Sequence, residues 1–391
     1  MPEIIVAGAG TGAGESLTPE VREALSQADA VCASQRFKPL IPPHKKFIPL
    51  KNFADTFRQI DSDNGKVVIL VSGDPGLFSL LPIVKERYGH VEVLPGISSL
   101  QVLCARVGES WHDAVILSGH GRPLRPGVFL NTVERSRLVV LFCDGERSPK
   151  WACSLLRGMD VEVVVGENLG GANERIITGF TEDECSALSL VLVRNAHPYV
   201  PENFSPRDCE FIRAEGVVMT NECVRSVILA RLNLKADSVL WDIGAGTGSI
   251  SVSAGLQFPN SEIHAVEYKS EAVRVIAQNA AKFHLHNIDI HAGRALQVIG
   301  SLPEPTHVFI GGSEGELAGI LAHIAGLGAN VRVVVACVTL ETLSYAYILL
   351  RDWPDFEAVQ VLVNASKLLA HSHTLMKAQS PVTILSASFA L

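Results

Sequence analysis

The sequence predicts an α/β protein of two domains, each built on strands that run into glycine-rich turns. Three observations lead there. Apolar stretches of strand length alternate with stretches of helical periodicity. A proline-rich, aperiodic stretch interrupts that alternation near the middle of the chain. An apolar run in each half ends in closely spaced glycines: Gly8, Gly10, Gly12 and Gly14 near the start, and Gly244, Gly246 and Gly248 past the middle. A glycine lets backbone approach a ligand closely and tolerates positive φ, so two such turns suggest two nucleotide-like sites.

Bulk properties narrow the class. A chain of 391 residues favours two or three domains. With 47% hydrophobic and 19% charged residues it can build large cores, which excludes a disordered chain. The net charge of −8 argues against nucleic acid as the main partner. The first residues lack the basic and apolar regions of a signal peptide. No window reaches the roughly 18 uninterrupted apolar residues of a membrane helix. The 8 cysteines are scattered without a Cys-x-x-Cys pair, in a chain long for a disulfide scaffold. The expectation is a reduced, soluble, cytoplasmic protein that uses neither membrane nor metal.

The elements follow in order. Ile4 to Gly8 reads as a strand. Thr18-Pro19 reads as a helix start, with Thr18 as N-cap and Pro19 at the first helical position. Ala30 to Ser34, Val67 to Ser72 and Val91 to Leu94 read as strands, as do Leu138 to Cys143, Val161 to Val165 and Ser189 to Arg194. Residues 195–209 hold three prolines and little periodicity, so the linker is placed at 196–209, between domains at 1–195 and 210–391. Val224, Val227, Ile228 and Leu232 mark one face of a helix. The strands after it are Val239 to Ile243, Ile263 to Glu267, Ile288 to His291, His307 to Gly311, Val331 to Val338, Ala358 to Asn364 and Val382 to Ala387. Strands alternating with helices imply a parallel sheet covered by helices.

The second glycine turn is the more informative. A strand ending in Asp242 runs into Gly244-Ala245-Gly246-Thr247-Gly248, then a helix of small residues from Ser249 to Gly255. Backbone N–H groups at that helix start lie where open α/β sheets bind nucleotide-like ligands. The spacing is not the Gly-x-Gly-x-x-Gly dinucleotide pattern. Glu267, closing the next strand, is placed to accept from both hydroxyls of a ribose. Asp242 beside the loop suits a sulfonium and repels a pyrophosphate. The pattern favours S-adenosylmethionine over NAD; the bland reading is a tight turn with a capping acid. At the first turn, Gly8-x-Gly10-x-x-Ala13 matches a dinucleotide pattern weakly. The helix start at Thr18 lies well past the glycines, and the next strand ends near Arg36 with no acid at its tip. An arginine there favours a 2′-phosphate, which keeps an NADP-dependent oxidoreductase as an alternative.

Other signals are weaker. His284, His286 and His291, and His371 with His373, lack a completed ligand set and read as surface histidines. Arg122 and Arg125 read as solvated loop, with the alternative of a carboxylate grip. No Gly-x-Ser-x-Gly elbow is present. An RNA methyltransferase is a further alternative, disfavoured by the charge and by Gly311-Gly312-Ser313 where amine-methylating enzymes carry Asp/Asn-Pro-Pro-aromatic.

The motifs together carry a family resemblance. Phe211-Ile212-Arg213-x-Glu215-Gly216, Met219-Thr220, Trp241 to Gly248, Ala265-x-Glu267 and Val308 to Ser313 resemble a decarboxylating precorrin methyltransferase module. Gly8 to Gly12 with Leu17-Thr18, Ser72-Gly73-Asp74-Pro75, Leu94 to Ser99, Trp111 to Ala114, Gly119 to Arg122 and Leu169 to Arg175 resemble a tetrapyrrole methylase. The two in this order are similar to fused precorrin methyltransferases of cobalamin biosynthesis. The resemblance implies a two-lobed tetrapyrrole methylase fold, with lobes near 1–95 and 96–195, followed by a Rossmann-like class I methyltransferase domain. It implies methyl transfer from S-adenosylmethionine to ring carbons 5 and 15 of precorrin-6Y, a tetrapyrrole, with loss of carbon dioxide from the carbon-12 acetate. It further implies a homo-oligomer. Gly10, Gly73, Asp74 and Ser98 would line the first cofactor site; Thr220, Gly244 to Gly248, Glu267 and Ala295 would contact the second. Thr220 also reads as the N-cap of the next helix. Arg213, Glu215, Ser313 and Glu316 are the candidates for substrate-side chemistry, with Arg122, Arg213 and Lys367 as carboxylate anchors. Two departures stand out. Gly293-Arg294-Ala295 carries an arginine where the family usually has an acid, and Ser366 to His373 replaces a glycine-rich stretch.

Overall fold

The computed structural model describes residues 2–120, 124–369 and 373–389. The chain forms two compact units, one of residues 1–124 and 136–198, the other of residues 125–135 and 199–391.

The first unit carries two five-stranded sheets. One contains β1 (Glu3–Gly8), β2 (Ala30–Ala33), β3 (Lys46–Pro49), β4 (Lys66–Val71) and β5 (Glu92–Leu94), in the order β3-β2-β4-β1-β5. All its pairings are parallel. Its central strands are apolar on both faces because helices cover both. Ile5, Ala7, Val68 and Leu70 pack into one cluster, and Ile4, Val6, Val67 and Ile69 into another. The other sheet contains β6 (Val115–Ser118), β7 (Leu138–Phe142), β8 (Glu162–Glu167), β9 (Arg175–Thr178) and β10 (Ser189–Arg194), in the order β6-β7-β10-β8-β9. Here β6 and β7 are parallel and the remaining pairs antiparallel.

The helices of the first half are α1 (Pro19–Gln27), α2 (Phe53–Asp61), α3 (Leu81–Tyr88), α4 (Ser99–Val107), α5 (Pro126–Arg135) and α6 (Pro149–Leu156). Thr18 caps α1 by accepting from the Val21 N–H at 3.3 Å, with Pro19 in the first turn as expected. Helix α5 belongs to the second unit, a placement that a single boundary at 195 does not anticipate. Its polar side chains explain this. Asn131 donates to the Pro259 carbonyl (3.0 Å) and accepts from the His286 N–H (2.8 Å). Arg125 pairs with Glu262 and donates to the Asn260 carbonyl, so it is not a free carboxylate grip.

The second unit has α7 (Glu222–Leu232), α8 (Ser249–Gln257), α9 (Ser270–Lys282), α10 (Ala295–Val298), α11 (Leu317–Gly326) and α12 (Leu340–Leu350). Its strands are β11 (Val239–Ile243), β12 (Glu262–Glu267), β13 (Ile288–Ala292), β14 (His307–Ile310), β15 (Val331–Cys337), β16 (Glu357–Val361), β17 (Asn364–Leu369), β18 (His373–Ala378) and β19 (Val382–Phe389). Seven form one sheet in the order β13-β12-β11-β14-β15-β19-β16. The first five are parallel; β19 runs antiparallel to both β15 and β16. The expected all-parallel sheet therefore ends at β15. The run expected at Ala358 to Asn364 divides into β16 and the start of a β17–β18 hairpin. Alternate residues of β11 face opposite cores: Trp241 and Ile243 meet α10 and α11, while Leu240 meets α7 and α8. Strand order reverses between β11 and β14, and ligands of open α/β sheets bind at the carboxyl ends of strands at such a point. Among the described residues no helix is long and apolar enough to cross a membrane.

Candidate functional site

The second unit opens a pocket where β11, β12, β13 and β14 end. Gly244, Ala245 and Gly246 form its floor, with Glu267, Tyr268 and Lys269 on one wall and Gly293, Arg294 and Ala295 beyond them. Gly312, Ser313, Glu314 and Glu316 close another side, and Val217, Val218 and Thr220 cross above. Gly244 and Gly246 hold left-handed φ values of 72° and 59°. A Cβ on Gly244 would lie 2.5 Å from the Gly312 carbonyl oxygen, and one on Gly246 would overlap the Val218 carbonyl. Only glycine admits both the turn and the approach of the crossing segment.

Glu267 is nearly buried and braces this loop. Its Oε2 accepts from the Gly246 N–H at 3.0 Å, and its Oε1 from the N–H groups of Tyr268 (2.9 Å) and Lys269 (3.0 Å). A carboxylate offers about four acceptor sites. Three are taken by backbone N–H groups, and acceptor capacity remains for a sugar hydroxyl.

The crossing segment is fixed from below. Arg225 is 0% exposed. It pairs with Asp208 at 3.1 Å, donates to the carbonyls of Thr220 (2.9 Å) and Pro206, and stacks over Phe211 at 4.9 Å. The Val218 carbonyl accepts from the Thr247 N–H at 3.1 Å. Residues 206–209, expected to be linker, are thereby tied to α7. Thr220 lines the pocket, but Asn221 caps α7 instead, accepting from the Cys223 N–H.

Asp242 does not reach the pocket. It is 0% exposed beneath the loop, where its Oδ2 accepts from the Ser251 N–H (3.1 Å) and hydroxyl. It therefore cannot face a sulfonium directly. Thr247 is also fully buried, and Gly248 starts α8 against Ile276. Burial pushes the Asp242 carboxyl up from 3.8 to about 6, partly offset by Ser251 and reinforced by the Glu267 charge. Arg213 and Glu215 are exposed on the segment leading to the crossing residues and do not line the pocket; Arg213 donates to the Asp208 carbonyl at 2.7 Å. Ser313 and Glu316 do line it. Tyr268 and Lys269 are pocket residues that the sequence does not single out, while Arg294 and Gly312, named there only for their motifs, also line it. For Tyr268 and Lys269, adjacency to Glu267 was the available signal.

In the first unit a cleft lies at the ends of β1, β4 and β5. Gly10, Gly73, Asp74 and Ser98 all line it, with Arg36, Phe78, His120 and Asn173. Gly10 and Gly73 bond to each other: the Gly73 N–H donates to the Gly10 carbonyl at 2.8 Å and the return bond is 3.3 Å. Asp74 accepts from the N–H groups of Gly76 (2.7 Å) and Gly96 (3.1 Å), joining the loops after β4 and β5. Ser98 caps α4 by accepting from the Leu100 N–H at 3.2 Å. With its amide committed to Gly73 and α1 starting only at Pro19, Gly10 offers no helix-start cradle for a pyrophosphate. Arg36 bonds the Ser72 hydroxyl.

Residues 211–388 match the precorrin methyltransferase domain family, and residues 3–183 match the tetrapyrrole (corrin/porphyrin) methylases. A probable cobalt-precorrin-6B C(15)-methyltransferase (decarboxylating) of Pyrobaculum calidifontis is 36% identical, covering 49% of this chain and 96% of its own length. The chain belongs to the decarboxylating precorrin methyltransferases. A precorrin-6Y C(5,15)-methyltransferase [decarboxylating] of a Sinorhizobium species is 27% identical over 87% of this chain and 86% of its own length. A crystal structure of precorrin-6y C5,15-methyltransferase from Geobacter metallireducens is 34% identical, with TM-score 0.44, covering 47% of this chain and 97% of that one.

Of the other expectations for this family member, Arg122 and His371 lie outside the described residues, as does the Lys367 side chain. The side chain of His373 also lies outside the described residues, and the other candidate histidines are engaged. His284 bonds Glu134 at 2.6 Å; His291 meets the buried His264 at 3.0 Å, which in turn meets Glu262. Glu262, His264 and Asp289 bring possible ligand atoms together, but Arg125 already occupies Glu262.

Two outcomes test this geometry. Because folding raises the Asp242 pKa, the folded state holds that proton more tightly than the unfolded chain does. The associated stability is complete below 3.8 and is lost as pH rises through about 6. In urea unfolding, the stability of the native chain relative to Asp242→Asn should improve by about 2 kcal/mol between neutral pH and about pH 4; a flat difference contradicts the assignment. Glu267→Ala should weaken binding of S-adenosylhomocysteine at the second unit's pocket by on the order of 10- to 100-fold and leave the first unit's cleft unaffected. Calorimetry on the full chain reads both, and unchanged affinity at both sites refutes the role given to Glu267.

Proposed function

We propose that the chain methylates precorrin-6Y at ring carbons 5 and 15, using S-adenosylmethionine, and removes the carboxyl of the carbon-12 acetate as carbon dioxide. The observation that carries this reading is the pair of backbone cradles, one in each unit, each formed where strand ends meet through close glycine contacts. The pocket of the second unit fits the donor on structural grounds. Its floor is bare backbone at Gly244, Ala245 and Gly246, held in place because a Cβ on Gly244 or Gly246 would collide with the backbone of Gly312 or Val218, and Glu267 keeps acceptor capacity for a sugar hydroxyl. The first cleft, on Gly10, Gly73, Asp74 and Ser98, is assigned to carbon 5, and the second pocket to carbon 15 and the decarboxylation.

The bound donor supplies an electrophilic methyl group on a sulfonium. An electron-rich ring carbon can attack it as the methyl carbon–sulfur bond breaks and S-adenosylhomocysteine leaves. The ring then sheds the positive charge it has gained by losing a proton without a dedicated base or, at the carbon-15 step, by losing carbon dioxide. The protein therefore has to align donor and acceptor and shield the methyl group from water. The segment carrying Val217, Val218 and Thr220 covers the glycine loop and serves that exclusion. In the decarboxylation the bond to the carboxylate carbon breaks and its electron pair enters the conjugated ring. A proton then converts the remaining side-chain carbon to methyl. Ser313 at the pocket wall and Arg213 on the adjoining exposed segment are assigned to the substrate side, where a polycarboxylate needs donors; Glu215, an acceptor only while ionised, is assigned there to the chemistry and not to carboxylate binding. We also assign the active form to a homo-oligomer.

Incubating the full chain with methyl-labelled S-adenosylmethionine and precorrin-6Y tests the reading by product mass. The expected product has gained two labelled methyl groups and lost one carbon dioxide. An unlabelled or merely reduced product overturns it.

A further inference from the structure

We infer that Glu316 is the residue that reads the base of the cofactor in the second unit, accepting from the exocyclic amine of adenine, with Arg294 as the residue that positions it. The inference rests on the proposed donor, with its ribose at Glu267. Beyond Glu267 the same pocket continues along Tyr268, Arg294, Ala295 and Glu316. Tyr268, 41% exposed as a residue, brings to the pocket an aromatic side chain suited to a flat heterocycle. Two cations flank that ring, Arg294 at 5.7 Å and Lys269 at 5.6 Å. Both are donors only, so neither can receive the N–H bonds of a 6-amino group. Glu316 is the acceptor at this end. Its Oε2 takes the Leu296 N–H at 3.3 Å, and its Oε1 lies 3.6 Å from the Arg294 guanidinium. Those contacts fix the carboxylate and leave lone pairs unused. Glu314, the remaining acid on the wall, is exposed at a residue with φ of 46° and has no ion-pair partner among the described residues. Arginine at 294 thus does not cost the pocket its base specificity: the acceptor comes from the start of α11 and the arginine holds it.

The opposite chemistry makes this testable. Were Arg294 itself to face the base edge, it would favour a 6-oxo purine, whose O6 and N7 both accept from a guanidinium. Calorimetry on the full chain compares S-adenosylhomocysteine with S-inosylhomocysteine, and the second pocket is identified as the component that Glu267→Ala removes. The expected result is a preference for the 6-amino compound on the order of tenfold or more. Glu316→Gln should reduce that preference to within about threefold, and Arg294→Met should reduce it partially. A preference for the 6-oxo compound in the unsubstituted chain overturns the inference, as does discrimination that survives Glu316→Gln. If neither compound binds the second pocket, the proposed donor fails as well, which separates the two failures.

Discussion

The Glu267 carboxylate, held by three backbone N–H groups, is the interaction on which the second unit's site depends. It ends β12 and reaches across to Gly246 in the loop after β11, so it ties together two strand ends that a ligand must bridge. A nearly buried carboxylate is costly unless donors surround it. Here the donors are the backbone of the loop itself, and satisfying the acid and shaping the cradle are one event. Asp242 supports the arrangement from beneath by anchoring the first turn of α8 through Ser251. Arg225 supports it from the other side by fixing the segment that covers the loop.

The first unit reaches a comparable end by other means. Its loops after β1 and β4 pair directly through Gly10 and Gly73, and Asp74 joins the loop after β5 by accepting from Gly96. In both units an acid at or just past a strand end, Glu267 closing β12 and Asp74 in the loop after β4, binds backbone N–H groups of a neighbouring loop. The sheet order differs, as do the helices and the distance to the nearest helix start. Close backbone approach is the shared physical requirement, and it explains the glycines in both halves.

Much of this was legible in the sequence because it lies in apolar runs and punctuation. The parallel strands β1, β4, β11, β12, β14 and β15 are largely buried on both faces and read as apolar-rich stretches; Thr18-Pro19 marks its helix by capping chemistry alone. The short strands β3, β6 and β9 were not legible, since each is four residues long and only partly buried. The reversal of β19 depends on where the chain can return to the sheet, which no local pattern encodes. At the site, the glycines and Glu267 announced themselves by spacing. Asp242 was misplaced because sequence position beside a loop does not say which face of the strand a side chain takes. Arg225 was invisible for the opposite reason: a lone arginine on a helix reads as surface until its partners, at Asp208, Thr220 and Pro206, are folded around it.

The second unit is proposed to bind an adenosyl sulfonium with its sugar on Glu267. A crystal structure of the full chain with S-adenosylhomocysteine tests it most directly. The thioether compound is expected over the Gly244–Gly246 loop, with a ribose hydroxyl on the Glu267 carboxylate. A pocket left empty at saturating ligand, or a sugar bound away from Glu267, would contradict it.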